Sequence, residues 1–276
     1  MEDRGELEVV ETVAVDTIYQ QDKATIDMQI STAKAYPRNI RQAVDNAIAI
    51  VTMDVNTAQT CTYSVPRAGK PITGPSVHLA TILAQEYGNM RIDAKVVSID
   101  SKHVTSEAVC FDLEKNLAIK AQVKRSIVGR KGRFNDDMIV VTGNAANSIA
   151  LRNAILKVIP RAIVDKVYAE AKKAIVGDVS NSVKLLAKRK KMFDALKDAY
   201  GVTEQEILTS VGKASIKHIT EDDLVVLTGV GQAIRDGDTT IDEAFKGART
   251  QSKRVSSNLT SAAVDKIDKK NPPNKS

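Results

Sequence analysis

The sequence predicts an α+β protein. Its core is a β-β-β-α antiparallel meander with surrounding helices, and a small all-helical C-terminal module follows. Three observations carry this prediction. Three runs with strand-like patterning lie between Met90 and Val128, separated by the short turns Asp100–Lys102 and Glu114–Asn116. An alanine-rich helical segment comes next, Asn144–Lys157. From Asn181 onward every pattern is helical and glycines punctuate it. A chain of 276 residues is long enough for one sizeable domain and a small one.

Taken in order, residues 1–15 form an acidic arm without a packing pattern. Helices are expected over Lys23–Lys34 and Pro37–Thr52, with Pro37 suited to a first helical turn. Thr60–Val65 has strand character, and Arg67-Ala-Gly-Lys70 forms a turn that presents two cations. Thr73-Gly-Pro-Ser76 then opens a helix to Tyr87, stopped by Gly88-Asn89. The meander strands are Met90–Ile99, His103–Phe111 and Leu117–Val128. In the third, Leu117, Ile119, Ala121 and Val123 alternate with Ala118, Lys120, Gln122 and Lys124. That gives one apolar and one basic face.

The loop Gly129-Arg-Lys-Gly-Arg133 carries three cations on a glycine-flexed frame. A β-like run, Met138–Thr142, leads into the Asn144–Lys157 helix, which breaks at Pro160 before a second helix bearing Arg161, Lys166, Lys172 and Lys173. Further helices are expected over Val183–Tyr200, Glu204–Val211, Glu221–Arg235 and Thr240–Phe245. Thr220 has the character of an N-cap. The expected organisation is an acidic arm and first helix over 1–34 and a main core over 35–178. A helical C-terminal module over 179–246 suits partner binding, and a disordered Ser-, Lys-, Asn- and Pro-rich tail covers 247–276.

The Asn144–Lys157 helix has two unlike sides. At 100° per residue, Ile149, Leu151, Ile155, Leu156, Val158 and Ile159 form an aliphatic arc. Gly143, Ala146, Asn147, Ala150, Asn153, Ala154 and Lys157 form a ridge of small and polar residues opposite. Such a ridge allows close approach of a nucleic-acid strand, a sheet or another protomer. Packing is the favoured reading for the alanines and a phosphate contact for Lys157. Arg152 stands within the aliphatic arc, with a salt bridge or a phosphate as alternative partners.

Net charge is +6, unevenly spread. Residues 1–33 hold 2 basic and 8 acidic side chains, whereas residues 114–199 hold 19 basic and 8 acidic. A block of net +11 in a folded region points to a polyanion, with a solvated helix face as the plain alternative for Lys188–Lys191. Cys61 and Cys110 are expected as free buried thiols of a reducing cytoplasm. No apolar run approaches the roughly 18 residues of a membrane span. The acidic N-terminus predicts no secretory leader, and the scattered histidines predict no zinc site.

Catalytic signatures are missing. Ala68-Gly-Lys-Pro71 lacks the Ser/Thr of a phosphate loop, which disfavours ATP-driven enzymes. Asp93-Ala-Lys95 matches the D-x-K element of metal-dependent nucleases, but charges alternating on the solvent side of an edge strand are the favoured reading. Asp136-Asp137 is read as balancing nearby cations or capping the next element rather than holding a metal. With no Trp, four Phe and six Tyr, the chain lacks the aromatic platform of stacking single-strand binders. A strand held here is held by its phosphates, bases outward, where a second strand can read them.

The order Cys61–Lys70, the helix Pro75–Tyr87, the meander, and Ala-Asn-Ser-Ile-Ala-Leu-Arg-Asn-Ala-Ile-Leu-Lys-Val-Ile-Pro160 resembles the phage single-strand annealing proteins of the RecT/Redβ type. Gly69-Lys-Pro-Ile-Thr-Gly-Pro-Ser-Val-His-Leu-Ala80 with Tyr87-Gly-Asn89 adds to the likeness, which spans roughly residues 35–178. The family helix carries more cations upstream of Lys157; here Ile149 and Ala150 stand in their place.

The resemblance implies a non-enzymatic protein that binds single-stranded DNA without ATP or another required cofactor. It implies annealing of complementary strands in homologous recombination and repair, by a homo-oligomeric ring or filament in the cytoplasm of a host cell. A divalent cation is conceivable but not indicated. A partner exonuclease or host single-strand-binding protein would meet the C-terminal module.

The expected phosphate contacts are Lys120, Lys124, Arg125, Arg130, Lys131, Arg133, Arg152, Lys157 and Arg161. Asn144 and Asn147 would donate to backbone or base edges, and Arg67 and Lys70 would steer the strand. The sheet and the helix would line one groove. The alternatives are a non-annealing nucleic-acid scaffold and, further off, a metal-dependent nuclease.

Overall fold

A computed structural model describes residues 4–67, 70–129, 132–177 and 182–246. The fold is mixed α+β, with a three-stranded antiparallel sheet flanked by helices and a helical C-terminal region. The chain divides into two compact units, residues 1–50 with 80–167 and residues 51–79 with 168–276.

In the first unit, α1 runs Arg4–Ala35, so the expected loose arm is helical from Arg4. Nothing after Gly5 breaks it, because no proline or glycine occurs before Ala35. Thr25, Ser31 and Thr32 donate back to the carbonyls four residues earlier. α2 is Ile40–Val51, and the Asn39 side chain accepts from Gln42 N at its start. Pro37 therefore lies ahead of the helix rather than in its first turn.

The meander forms as expected, with β3 Met90–Ile99, β4 His103–Asp112 and β5 Leu117–Ser126 in the order β3-β4-β5. Lys95 pairs with Glu107 and Glu107 with Gln122 across it. Burial alternates along β4. Val104, Ser106, Ala108, Cys110 and Asp112 are buried, and the residues between them are only partly covered.

Helix α5, Asp136–Val158, covers that buried face. The β-like run Met138–Thr142 is its first turns, not a strand. The Asn135 side chain accepts from Met138 N, and Asp136 and Asp137 sit at the positive end of the helix. Ile139 and Ala146 then pack with Val104 and Ile127, which outweighs the β-branched character of the run. The small ridge faces the sheet. A Cβ on Gly143 would lie 3.3 Å from Val96 Cγ2, and Ala146, Ala150 and Ala154 are fully buried. The loop before α5 is a short hairpin of β6 Val128–Gly129 and β7 Gly132–Arg133.

In the second unit, α3 Val55–Thr60 is capped by Asp54 and precedes the hairpin of β1 Thr62–Arg67 and β2 Lys70–Pro75. Thr73–Pro75 thus belongs to a strand. The helix expected there, α4, starts later and runs Val77–Tyr87, with Ser76 Oγ accepting from Leu79 N, and from Ala80 on it belongs to the first unit. α6 is Arg161–Val176, with residues 161–167 in the first unit and the rest in the second. The hairpin groups with the C-terminal helices, not with the meander. Those helices are α7 Ser182–Tyr200, α8 Glu204–Ser210 and α9 Glu221–Arg235.

A 3-10 turn at Ile216–His218 and a π turn at Asp242–Lys246 complete the unit. Thr203 and Thr220 each close a capping box, and Gly201, Gly212 and Gly237 adopt positive φ after the helices they end. Phe193, Leu196, Ile207, Ile219, Leu224, Leu227 and Phe245 form the core. The expected tail over 247–276 lies outside the described residues.

Candidate nucleic-acid interface

Strand alternation decides which side chains of the meander can meet a ligand. The parity of Val104 and Ala121 lies under α5. The opposite parity forms an open polar face. Lys95 of β3, Thr105 and Glu107 of β4, and Lys120, Gln122 and Lys124 of β5 share it. Strand geometry spaces Lys95, Lys120 and Lys124 over a patch of roughly 10 by 14 Å. Arg91 ends the face on one side, where its Nη1 donates to Gln29 Oε1 of α1 at 3.2 Å.

The face is not uniformly basic. Lys120 Nζ lies 2.9 Å from Glu107 Oε1, and Gln122 Nε2 donates to Glu107 Oε2 at 2.8 Å. The hydrogen bond from Lys120 chiefly, then that from Gln122, holds the Glu107 carboxyl below its ordinary range. At the β3–β4 turn, Asp100 accepts from the backbone N–H of Lys102 and His103, which lowers its pKa. Lys124 Nζ stands 3.8 Å from Asp100 Oδ2. Both lysines remain more than half exposed, so phosphate oxygens could reach them. Phe111 is the one aromatic of this face on β4, next to Arg91 in register.

Among the described residues of the first unit, the expected site residues do not converge on one groove. Lys120 and Lys124 lie on the open face, but Arg125 pairs with Val104 and so belongs to the face beneath α5, where it is half-buried. Because α5 packs on the sheet through Ile139 and Ala146, the space between helix and sheet is core and no strand can enter it. Arg152 is buried, with Nη2 3.5 Å from Asn153 Oδ1, and cannot grip a phosphate from the surface. Asn144 and Lys157 are exposed on α5, the side of the sheet away from Lys120.

Asn147 is half-buried, and its Oδ1 is sealed from solvent without a hydrogen-bond partner. Arg161 is exposed but holds Asp165 at 2.8 Å. Arg133 is exposed on β7, while Arg130 and Lys131 lie outside the described residues. Arg67 and Lys70 pair at the end of the β1–β2 hairpin, in the other unit, and only their backbone is described.

Lys95, Glu107 and Gln122 were not among the expected binding residues. Alternation along each strand marks their parity, but only the inter-strand register sets them in one row.

Among the described residues no group of three His, Cys, Asp or Glu side chains is placed to hold a metal ion, and no helix is long and apolar enough to cross a membrane. Cys61 and Cys110 are buried and unbonded to each other, and burial pushes their thiols up to about 11 and about 12. No protein-family model, curated protein or solved structure matches the chain.

Proposed function

We propose that the open face of the meander binds the phosphate backbone of single-stranded DNA and that the protein promotes ATP-independent annealing of complementary strands. The observation that carries this reading is the group of exposed cations, Lys95, Lys120 and Lys124, on a sheet face that α5 leaves uncovered. Cations at strand spacing, with few aromatic side chains among them, grip phosphates and leave the bases outward. Two strands held against one positive surface repel each other less, counterion release supplies affinity, and base pairing supplies specificity.

The likeness of Cys61–Lys70 and Ala146–Pro160 to RecT/Redβ-type annealing proteins supports the same reading, including recombination in a phage-infected cell and assembly of several copies along a strand. The C-terminal helices of the second unit would then meet a partner exonuclease or single-strand-binding protein.

The test is binding of a labelled oligothymidylate across a series of salt concentrations. Joint replacement of Lys120 and Lys124 by Ala should weaken binding and reduce the salt slope by about 1.4. An unchanged slope would place the footprint elsewhere. A chain that binds yet fails to speed pairing would instead be a sequestering protein.

A further inference from the structure

Two acidic side chains, Asp93 on β3 and Glu107 on β4, sit on a face where a polyanion-binding surface should exclude them, and Glu107 is the one held by a lysine of β5. Glu107 is at the middle of the central strand, between Lys95 on β3 and Gln122 on β5. Its carboxylate takes a hydrogen bond from Gln122 and an ion pair from Lys120 at 2.9 Å. The Glu107 side chain keeps 14 % of its exposure, whereas Lys120 keeps 61 %. The acid is thus packed down among its partners, while the lysine it engages still reaches solvent.

We infer that Glu107 is a built-in competitor for the phosphates of a bound single strand. The inference rests on the reading of this face given above. A carboxylate and a phosphate oxygen present the same chemistry to an ammonium group, and although the three N–H donors of Lys120 can meet both, its charge is already offset by Glu107. A strand arriving on β5 meets a partly neutralised lysine and lies close to a second negative charge. Both effects weaken binding. Weak, exchangeable contacts suit annealing, because a strand has to shift along the face until its bases meet their complements. An exposed ion pair of this kind is worth a small factor in equilibrium, so it tunes affinity rather than abolishing it.

The competing explanation is that Glu107 and Lys120 are a cross-strand pair serving the sheet alone. Glu107→Gln separates the two, since it removes the charge and keeps a hydrogen-bonding side chain of the same size. Binding of a fluorescein-labelled oligothymidylate to the full chain is measured by anisotropy from low to high potassium chloride. Glu107→Gln should bind about threefold tighter at low salt, with a salt slope steeper by about 1, and the gain should fade as salt rises. Glu107→Asp, which keeps the charge, should stay near the parent protein.

Unchanged or weaker binding by Glu107→Gln would overturn the inference, as would equal tightening by Glu107→Asp. Joint replacement of Lys120 and Lys124 by Ala isolates the underlying reading. If that variant weakens binding and Glu107→Gln does not tighten it, the face stands and the competitor falls. If the lysine variant binds like the parent, the assignment of the face falls and the competitor with it.

Discussion

Arg38 grips Asp112 through two parallel hydrogen bonds, Nη1 to Oδ2 at 2.8 Å and Nη2 to Oδ1 at 2.6 Å. The side chains keep only 5 % and 3 % of their exposure. The guanidinium lies 4.0 Å from the centre of the Tyr87 ring, and Arg38 Nε donates to Glu114 at 2.8 Å. One arginine thereby ties the segment after α1 to the end of α4 and to the β4–β5 turn. A buried ion that loses its partner remains as an unpaired charge. Arg38→Ala should cost about 3 kcal/mol of stability, measured by urea unfolding. A loss below about 1 kcal/mol, the range of surface pairs, would remove this role.

The same network gives a pH dependence. Burial alone would raise the pKa of Glu114, but hydrogen bonds from Asn89 and from Arg38, with the Arg38 charge, outweigh it and leave the carboxyl lowered. A carboxyl with a depressed folded pKa contributes stability that is complete above its unfolded value, about 4.3, and is lost as pH falls through the folded value. Unfolding free energy should therefore drop on acidification below about pH 5, and Glu114→Gln should flatten part of that drop. Identical acid profiles for the two proteins would contradict the assignment.

Gly229 of α9 lies directly on the backbone of β1. A Cβ there would stand 2.7 Å from the Tyr63 carbonyl carbon and 2.8 Å from Ser64 N, and neither atom can rotate away. Alanine is the better helix former by about 1 kcal/mol, but forced overpacking costs about 1–3 kcal/mol. Gly229→Ala should be destabilising by about 2 kcal/mol in thermal or urea unfolding. A more stable variant would mean that α9 and the hairpin do not touch as described.

His78 and Asp236 form a second titratable contact, at 3.3 Å. The Asp236 hydrogen bond raises the His78 pKa against the opposing effect of partial burial. A raised histidine contributes stability below its unfolded value, about 6.5, and loses it as pH rises through the folded value. In an NMR titration the ring should change ionisation above that of free histidine, and Asp236→Asn should bring it down. An unshifted ring in the parent protein would refute the contact.

The meander was legible because its alternation and its burial coincide. The parity of Ile119, Ala121 and Val123 in β5 is the parity α5 covers. The hairpin strand β2 was hidden by its own composition: two prolines and a glycine in six residues do not read as a strand, and Ser76, the real cap, stands just beyond. Residues 138–142 misled in the opposite sense. Their β-branched run was overruled by the Asn135 cap and by burial of Ile139. Within the site, Lys124 and Arg125 are neighbours in sequence yet point to opposite faces. Glu107 joins Lys120 only through the β4–β5 register, which local sequence does not encode.

The most direct measurement is the rate at which two complementary labelled oligonucleotides pair, without ATP, in the presence of the full chain. The parent protein should accelerate pairing, and replacement of Lys120 and Lys124 by Ala should abolish most of the acceleration while leaving the folded state intact by circular dichroism. No acceleration by the parent protein, or full acceleration by the lysine variant, would contradict a nucleic-acid-annealing role for this sheet face.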